Sequence, residues 1–178
     1  MAKGPISALG EVMQLAYVPA DFDAALRYWT ETMGVGPFFL FDHMTMEDFK
    51  YKGQPTDAVF SVAIAYWNDI QIELIQQHND SPSIYKQWRD AGLDGLHHTC
   101  IVVPDLKKAR AVCLEAGATI LQEGRAPGVE ALYVDTGGGP GSILELIEIA
   151  EETRGAFDTI RNAARDWDGT NPLRPIGG

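Results

Sequence analysis

The sequence predicts an α+β fold made of two paired β-α-β-β-β modules with a C-terminal helix after them. Three observations predict it. An apolar run closing on Pro and Asp occurs twice, as Val12-Met13-Gln14-Leu15-Ala16-Tyr17-Val18-Pro19-Ala20-Asp21 and as Leu96-His97-His98-Thr99-Cys100-Ile101-Val102-Val103-Pro104-Asp105. Each run is followed by a stretch with helix start and stop signals. Each helix is followed by strand-like segments separated by Gly, Pro and Asn-Asp punctuation. Gln14 and His98 each lie seven residues before their Asp, so the copies are offset by 84 positions.

The elements follow in order. Asp21 caps the first helix, whose apolar positions include Phe22, Ala25, Leu26 and Trp29, and Gly34 ends it. Strands are expected over 38–43, 58–67 and 70–76. A connector helix begins at Ser81-Pro82-Ser83, with Pro in its first turn, and runs to about Gly92. Asp105 caps the second module's helix, with Leu106, Ala109, Val112, Cys113 and Ala116 on its apolar face and Gly117 at its end. Strands are then expected over 119–122, 131–134 and 142–149. Phe157, Ile160, Ala164 and Trp167 recur at helical spacing. The tail, 168–178, is rich in Gly and Pro and is expected to cover part of the domain or a dimer surface. One domain therefore spans 1–178: module one about 10–80, connector 81–93, module two 94–150, helix and tail 151–178.

Composition narrows the class. A chain of 178 residues with 46% hydrophobic and 22% charged residues is neither disordered, collagen-like nor a coiled-coil rod. Fourteen basic against 25 acidic residues give a net charge of −11 with no long basic run, which argues against nucleic acid. Cys100 and Cys113 lie in apolar surroundings and read as buried, reduced thiols. The start has no long apolar run after a basic segment, and no apolar stretch reaches about 18 residues. No membrane span and a cytoplasmic location are expected.

Alternation along strands sorts the polar residues. Gln14 shares a face with Ala16 and Val18, Glu73 with Gln71 and Ile75, His98 with Cys100 and Val102, and Glu145 with Ile143, Ile147 and Ile149. The first and last strands of each module thus carry one ligand-type side chain apiece. Should the two sheets face each other, Gln14, Glu73, His98 and Glu145 converge. Buried carboxylates are costly unless paired or metal-bound, and a divalent cation relieves both the burial and their mutual repulsion. His97, the neighbour of His98, is expected on the opposite face as a structural residue.

This pattern over residues 10–150 resembles the vicinal oxygen chelate superfamily, which includes glyoxalase I, methylmalonyl-CoA epimerase, extradiol dioxygenases and bleomycin-resistance proteins. The resemblance implies a U-shaped mixed sheet around a metal held by the four positions just named. Ile72-Glu73-Leu74-Ile75, Asp80-Ser81-Pro82, Gly95-Leu96-His97-His98 and Ile143-Leu144-Glu145-Leu146 are similar to methylmalonyl-CoA epimerase. The epimerase usually has His where this chain has Gln14, and the set Gln, Glu, His, Glu resembles the zinc form of glyoxalase I.

Oxygen and nitrogen ligands suit one divalent ion, zinc first and nickel, cobalt or manganese as alternatives. Four protein ligands in an octahedron leave two positions for a 1,2-oxygenated small-molecule substrate. The expected reaction is lyase or isomerase chemistry, by proton abstraction next to a carbonyl. The resemblance to glyoxalase I implies Glu145 as base with Glu73 opposite; the residues themselves do not rank the two. Phe39, Phe41, His43 and Phe60 are candidate substrate contacts, and an aromatic pocket would favour an apolar or aromatic substrate. Lys50, Lys52, Lys86, Arg89 and Arg125 are the nearest approach to a basic rim for CoA or glutathione, and their scatter reads as solvated surface. A non-catalytic binding protein and a metal-dependent dioxygenase are the alternatives; Gln14 departs from the two-His, one-carboxylate pattern of the latter. The resemblance also implies a homodimer. Gly137-Gly138-Gly139-Pro140-Gly141 precedes a strand rather than a helix, so it reads as a hairpin turn and not a phosphate loop.

Overall fold

The computed structural model describes residues 5–176; the start of the chain, 1–4, and the last two tail residues lie outside the described residues. The strands are β1 (Val12–Val18), β2 (Phe38–Met44), β3 (Glu47–Tyr51), β4 (Gln54–Pro55), β5 (Phe60–Trp67), β6 (Ile70–Gln77), β7 (Gly95–Val102), β8 (Thr119–Ala126), β9 (Val129–Asp135), β10 (Ile143–Ile149) and β11 (Leu173–Pro175). The α-helices are α1 (Phe22–Arg27), α2 (Ile84–Asp90), α3 (Leu106–Glu115) and α4 (Glu151–Arg165).

The strands form one 11-stranded sheet in the order β11-β2-β5-β6-β1-β7-β10-β9-β8-β3-β4. The order β2-β5-β6-β1 is mirrored by β8-β9-β10-β7, as a duplicated module requires. The halves meet where β1 pairs antiparallel with β7, while β1∥β6 and β7∥β10 are the parallel pairs that flank the seam.

Caps lie where the Asp positions predict them. The Asp21 and Asp105 carboxylates accept from the backbone N–H of Ala24 and Lys108. The first helix changes to a wider π turn at Tyr28–Thr32. Ser83 caps α2 by accepting from the Lys86 N–H, so Pro82 precedes the helix instead of sitting in its first turn.

Helices cover both faces of the sheet. Phe22, Ala25 and Leu26 of α1 pack with Ile72 and Leu74, while Leu106, Ala109 and Cys113 of α3 pack with Leu132 and Leu146. On the inner face, Ile84, Tyr85 and Trp88 of α2 and Ile160 of α4 join Ala16, Val18, Ile75, Cys100 and Ile147. Cys100 and Cys113 are buried free thiols.

Two elements go beyond the duplicated plan. The β3–β4 hairpin leaves module one and pairs with β8 of module two. The tail returns as β11 beside β2, and the Trp167 ring lies where any side chain at Gly36 would sit. Trp167 follows the end of α4 instead of continuing its apolar stripe. Among the described residues no helix is long and apolar enough to cross a membrane.

Candidate metal centre

Four adjacent strands, β6-β1-β7-β10, carry the four polar residues that alternation singles out. Their register puts these residues in two neighbouring rows across the sheet. One row runs Ile64, Glu73, Ala16, His98, Ile143; the next runs Tyr66, Gln71, Gln14, Cys100, Glu145, Tyr133. Small side chains separate the long ones, with Ala16 between Glu73 and His98 and Cys100 between Gln14 and Glu145. Neighbouring strands lie about 4.8 Å apart, so the longer groups reach over these small residues to meet.

They meet closely. His98 Nε2 lies 3.2 Å from Glu145 Oε2 and 3.6 Å from Glu73 Oε2, and one ligand atom from each of the three lies within 4.8 Å of the others. His98 is fully buried, and Gln14, Glu73 and Glu145 are nearly so. Of the four buried side-chain atoms among the described residues without a hydrogen-bond partner, two belong to this group, His98 Nε2 and Gln14 Oε1; the others are Gln122 Nε2 and Arg161 Nε. Buried polar atoms of that kind are expensive unless something fills the gap between them. The donor set of one imidazole, two carboxylates and one amide oxygen suits zinc and its neighbours in hardness. The residues present therefore fit a divalent ion.

The carboxyls are pushed apart electrostatically. Burial, reinforced by the Glu145 charge, raises Glu73 well above the usual carboxylate range. Burial opposes ionisation of Glu145 as well, but His98, Tyr133 and Cys100 around it outweigh that, and its pKa lies below the ordinary value. Without an ion, Glu73 resists ionisation and Glu145 favours it. Burial also raises the Tyr85 and Tyr133 hydroxyls, which lie 3.2 Å apart beside this pair.

A surrounding set of side chains orients the four. Gln14 Nε2 donates to Gln71 Oε1 at 2.5 Å, and Gln71 Nε2 donates to Tyr66 Oη at 3.1 Å. With its amide nitrogen engaged, Gln14 leaves its oxygen free at the centre. Arg161 of α4 lies over the Tyr66 ring, 4.9 Å from its centroid. His97 behaves differently from the alternation argument. Ala16 pairs with His98 and Tyr17 with Leu96, so His97 is the extra residue of a β-bulge. It is buried against Tyr85 and Trp88 of α2, with Nδ1 only 2.9 Å from Nδ1 of His98. Its Nε2 faces the Ile84 carbonyl oxygen at 3.4 Å, which can only accept. Burial, then the neighbouring His98, lowers its pKa to about 3, so it is neutral and its Nδ1 must accept from His98 Nδ1–H. That directs His98 Nε2 toward the carboxylates. Neither His97 nor Gln71 stands out in the sequence as part of a site.

Glu73 and Glu145 form the floor of a cavity of about 540 Å³. Phe41, Phe60, Val62 and Ile64 make one wall, Ala131 and Tyr133 the other, and Ala156, Phe157 and Ile160 of α4 cover it. Of the aromatic and His candidates, Phe41 and Phe60 line this cavity, while Phe39 and His43 are not among its lining residues. The Phe39 ring lies 6.0 Å from the Arg174 guanidinium.

His43 instead belongs to an exposed cluster with Asp42 and His78. The buried Ser61 hydroxyl bonds Asp42 Oδ1 and His78 Nε2, each at 2.6 Å. That bond from Ser61, with help from His43, holds Asp42 below the usual range. The two imidazoles stack at 4.0 Å and 8°. Lone pairs lying in parallel planes do not converge on one ion, so the buried group is the better ligand set.

The family model of the Glyoxalase/Bleomycin resistance/Dioxygenase superfamily matches residues 13–136. No curated protein matches the chain. Among solved structures, a methylmalonyl-CoA epimerase in complex with methylmalonyl-CoA and NH4+ has a TM-score of 0.59 at 19% identity, over 80% of this chain and 96% of that one. A Streptomyces coelicolor methylmalonyl-CoA epimerase variant in complex with 2-nitronate-propionyl-CoA has a TM-score of 0.59 at 18% identity, over 80% and 96% of the two chains. The epimerase from Mycobacterium tuberculosis has a TM-score of 0.55 at 16% identity, over 83% and 93%. At these identities the likeness is one of fold.

Proposed function

This chain belongs to the Glyoxalase/Bleomycin resistance/Dioxygenase superfamily, and from that premise we propose that it is a divalent-metal-dependent lyase or isomerase acting by proton abstraction next to a carbonyl. The observation that supports this most is the buried convergence of Glu73, His98 and Glu145 at the floor of a cavity, with the free Gln14 oxygen beside them. Gln14, Glu73, His98 and Glu145 would hold the ion, with zinc the first candidate. When bound, it supplies electrostatic stabilisation to a substrate oxygen that gains negative charge.

The chain's own groups supply the proton chemistry. Glu145, the carboxyl kept ionised, takes the proton from the carbon next to the carbonyl. The electron pair of that C–H bond moves into the adjacent carbonyl. Glu145 then returns that proton to a different carbon of the substrate, or passes it to Glu73, which lies across His98 Nε2, for return to the other face. The apolar walls keep water from the carbanionic species. A cytoplasmic location and a homodimer complete this reading, the latter to be checked by light scattering.

The test combines metal content with one substitution. Purified protein should carry about one equivalent of divalent metal per chain, and His98→Ala should lose it. Glu145→Gln should remain folded but fail to exchange the proton next to the carbonyl of 2-oxo compounds. An active Glu145→Gln protein removes Glu145 as the base. Failure of the parent chain to take up zinc, nickel, cobalt or manganese favours a ligand-binding protein instead.

A further inference from the structure

The cavity above the carboxylates has a one-sided chemistry. Among the described residues that line it there is no Lys, Arg or His, and it has three carboxyl groups, those of Asp42, Glu73 and Glu145. The rest of the lining is largely aliphatic and aromatic. Its volume of about 540 Å³ falls within the range of pockets that enclose a drug-sized molecule, about 300–1,000 Å³. The five basic residues that the sequence offers as a rim are engaged elsewhere, and Arg161 of α4 lies over the Tyr66 ring and is not among the lining residues. Lys86 pairs with Asp90 at 2.8 Å, Arg89 donates to the Gln77 carbonyl at 2.8 Å, and Arg125 pairs with Asp48. Lys50 lies 3.9 Å from Glu123, and Lys52 sits over the Tyr51 ring.

A CoA or glutathione conjugate brings several negative charges. Here they would meet a lining that, among the described residues, has no basic side chain, the Asp42 carboxylate at its edge and a chain of net charge −11, while the ion's charge is balanced by Glu73 and Glu145. Unpaired charge in an apolar, partly enclosed site is costly. We propose that the substrate is a compact, uncharged molecule with an apolar or aromatic body and one oxygen-bearing end, taken without a thiol carrier. This inference rests on the metal-centre reading for the placement of the oxygen-bearing end only. The apolar body is selected by the walls, and Phe157 of α4 covers it.

Calorimetric titration tests it on metal-loaded protein with three probes: 1-phenylpropane-1,2-dione, propionyl-CoA and S-hexylglutathione. The neutral dione should bind, with an affinity that changes little between about 50 and 500 mM salt, and the two anionic probes should not. Phe157→Ala, on a partly exposed helix face, should weaken dione binding about tenfold while leaving metal content unchanged. Binding of either anionic probe at low salt, or no binding of the dione, overturns the proposal. The two readings fail separately. Metal uptake with preference for propionyl-CoA sinks the substrate class and leaves the metal centre standing. Dione binding that needs Phe157 in a chain that takes up no metal does the reverse.

Discussion

Ala16 and Cys100 matter to the centre because they are small. Each lies in its row between two long polar side chains and leaves the space in which those chains meet. The amide partners matter in another way. Gln71 fixes which end of Gln14 points inward, and orienting partners of this kind are typically worth about 10–100-fold in metal affinity. Gln71→Leu should weaken zinc binding by that order in a competition titration while the far-ultraviolet spectrum stays unchanged; undiminished affinity would show that the Gln14 amide needs no partner. Glu73 gives a pH signature. Its folded pKa is raised above the ordinary 4.5, so the protonated carboxyl stabilises metal-free protein below that value and the contribution is lost as pH rises through the raised one. The Tm of metal-stripped protein should therefore fall with rising pH more steeply than that of Glu73→Gln, and parallel curves would contradict the assignment. Gln14, Glu73, His98 and Glu145 were legible in the sequence because alternation and duplication reach them. The chain of hydrogen bonds from Gln14 through Gln71 to Tyr66 was not, since a bond between adjacent strands depends on register. His97 escaped because one bulged residue breaks alternation where it matters.

Among the elements, α4 is attached at a tight turn. It starts beside the β8–β9 turn, where the Ala150 N–H donates to the Gly128 carbonyl. Gly128 has φ +71, and a Cβ there would fall on Thr153 Oγ1. Gly128→Ala incurs the left-handed backbone penalty of about 1–2 kcal/mol and pushes the first turn of α4 outward. It should lower the urea midpoint and weaken dione binding together; a loss of stability alone would mean that α4 moves without opening the cavity. The helices were readable from caps and periodicity, and the long strands from their apolar runs. The hairpin β3–β4 and strand β11 were not. Glu47–Tyr51 is mostly polar, with Phe49 its one buried side chain, and β11 is three residues long. Both owe their conformation to a partner strand far away in the chain, which no local pattern announces.

At the scale of the whole molecule, module two and the tail after it hold module one at the β1–β7 seam, at the pairing of the module-one hairpin with β8, and through α4 against β5 and β11 beside β2. Cleavage of the chain at Gly92, a left-handed turn residue just after α2, should yield fragments that co-elute on gel filtration and separate only in denaturant. Fragments that part in native buffer would show that the pairing contributes little. The hairpin has one more consequence. A duplicated gene is ordinarily free to diverge half by half, and either half can be exchanged for a cousin's by recombination. Here the strand ladder of residues 47–55 is completed by a strand encoded in the other half, while Phe49 packs on Phe60 of its own. Each half therefore inherits its partner along with itself, and the ancient repeat evolves as one indivisible unit.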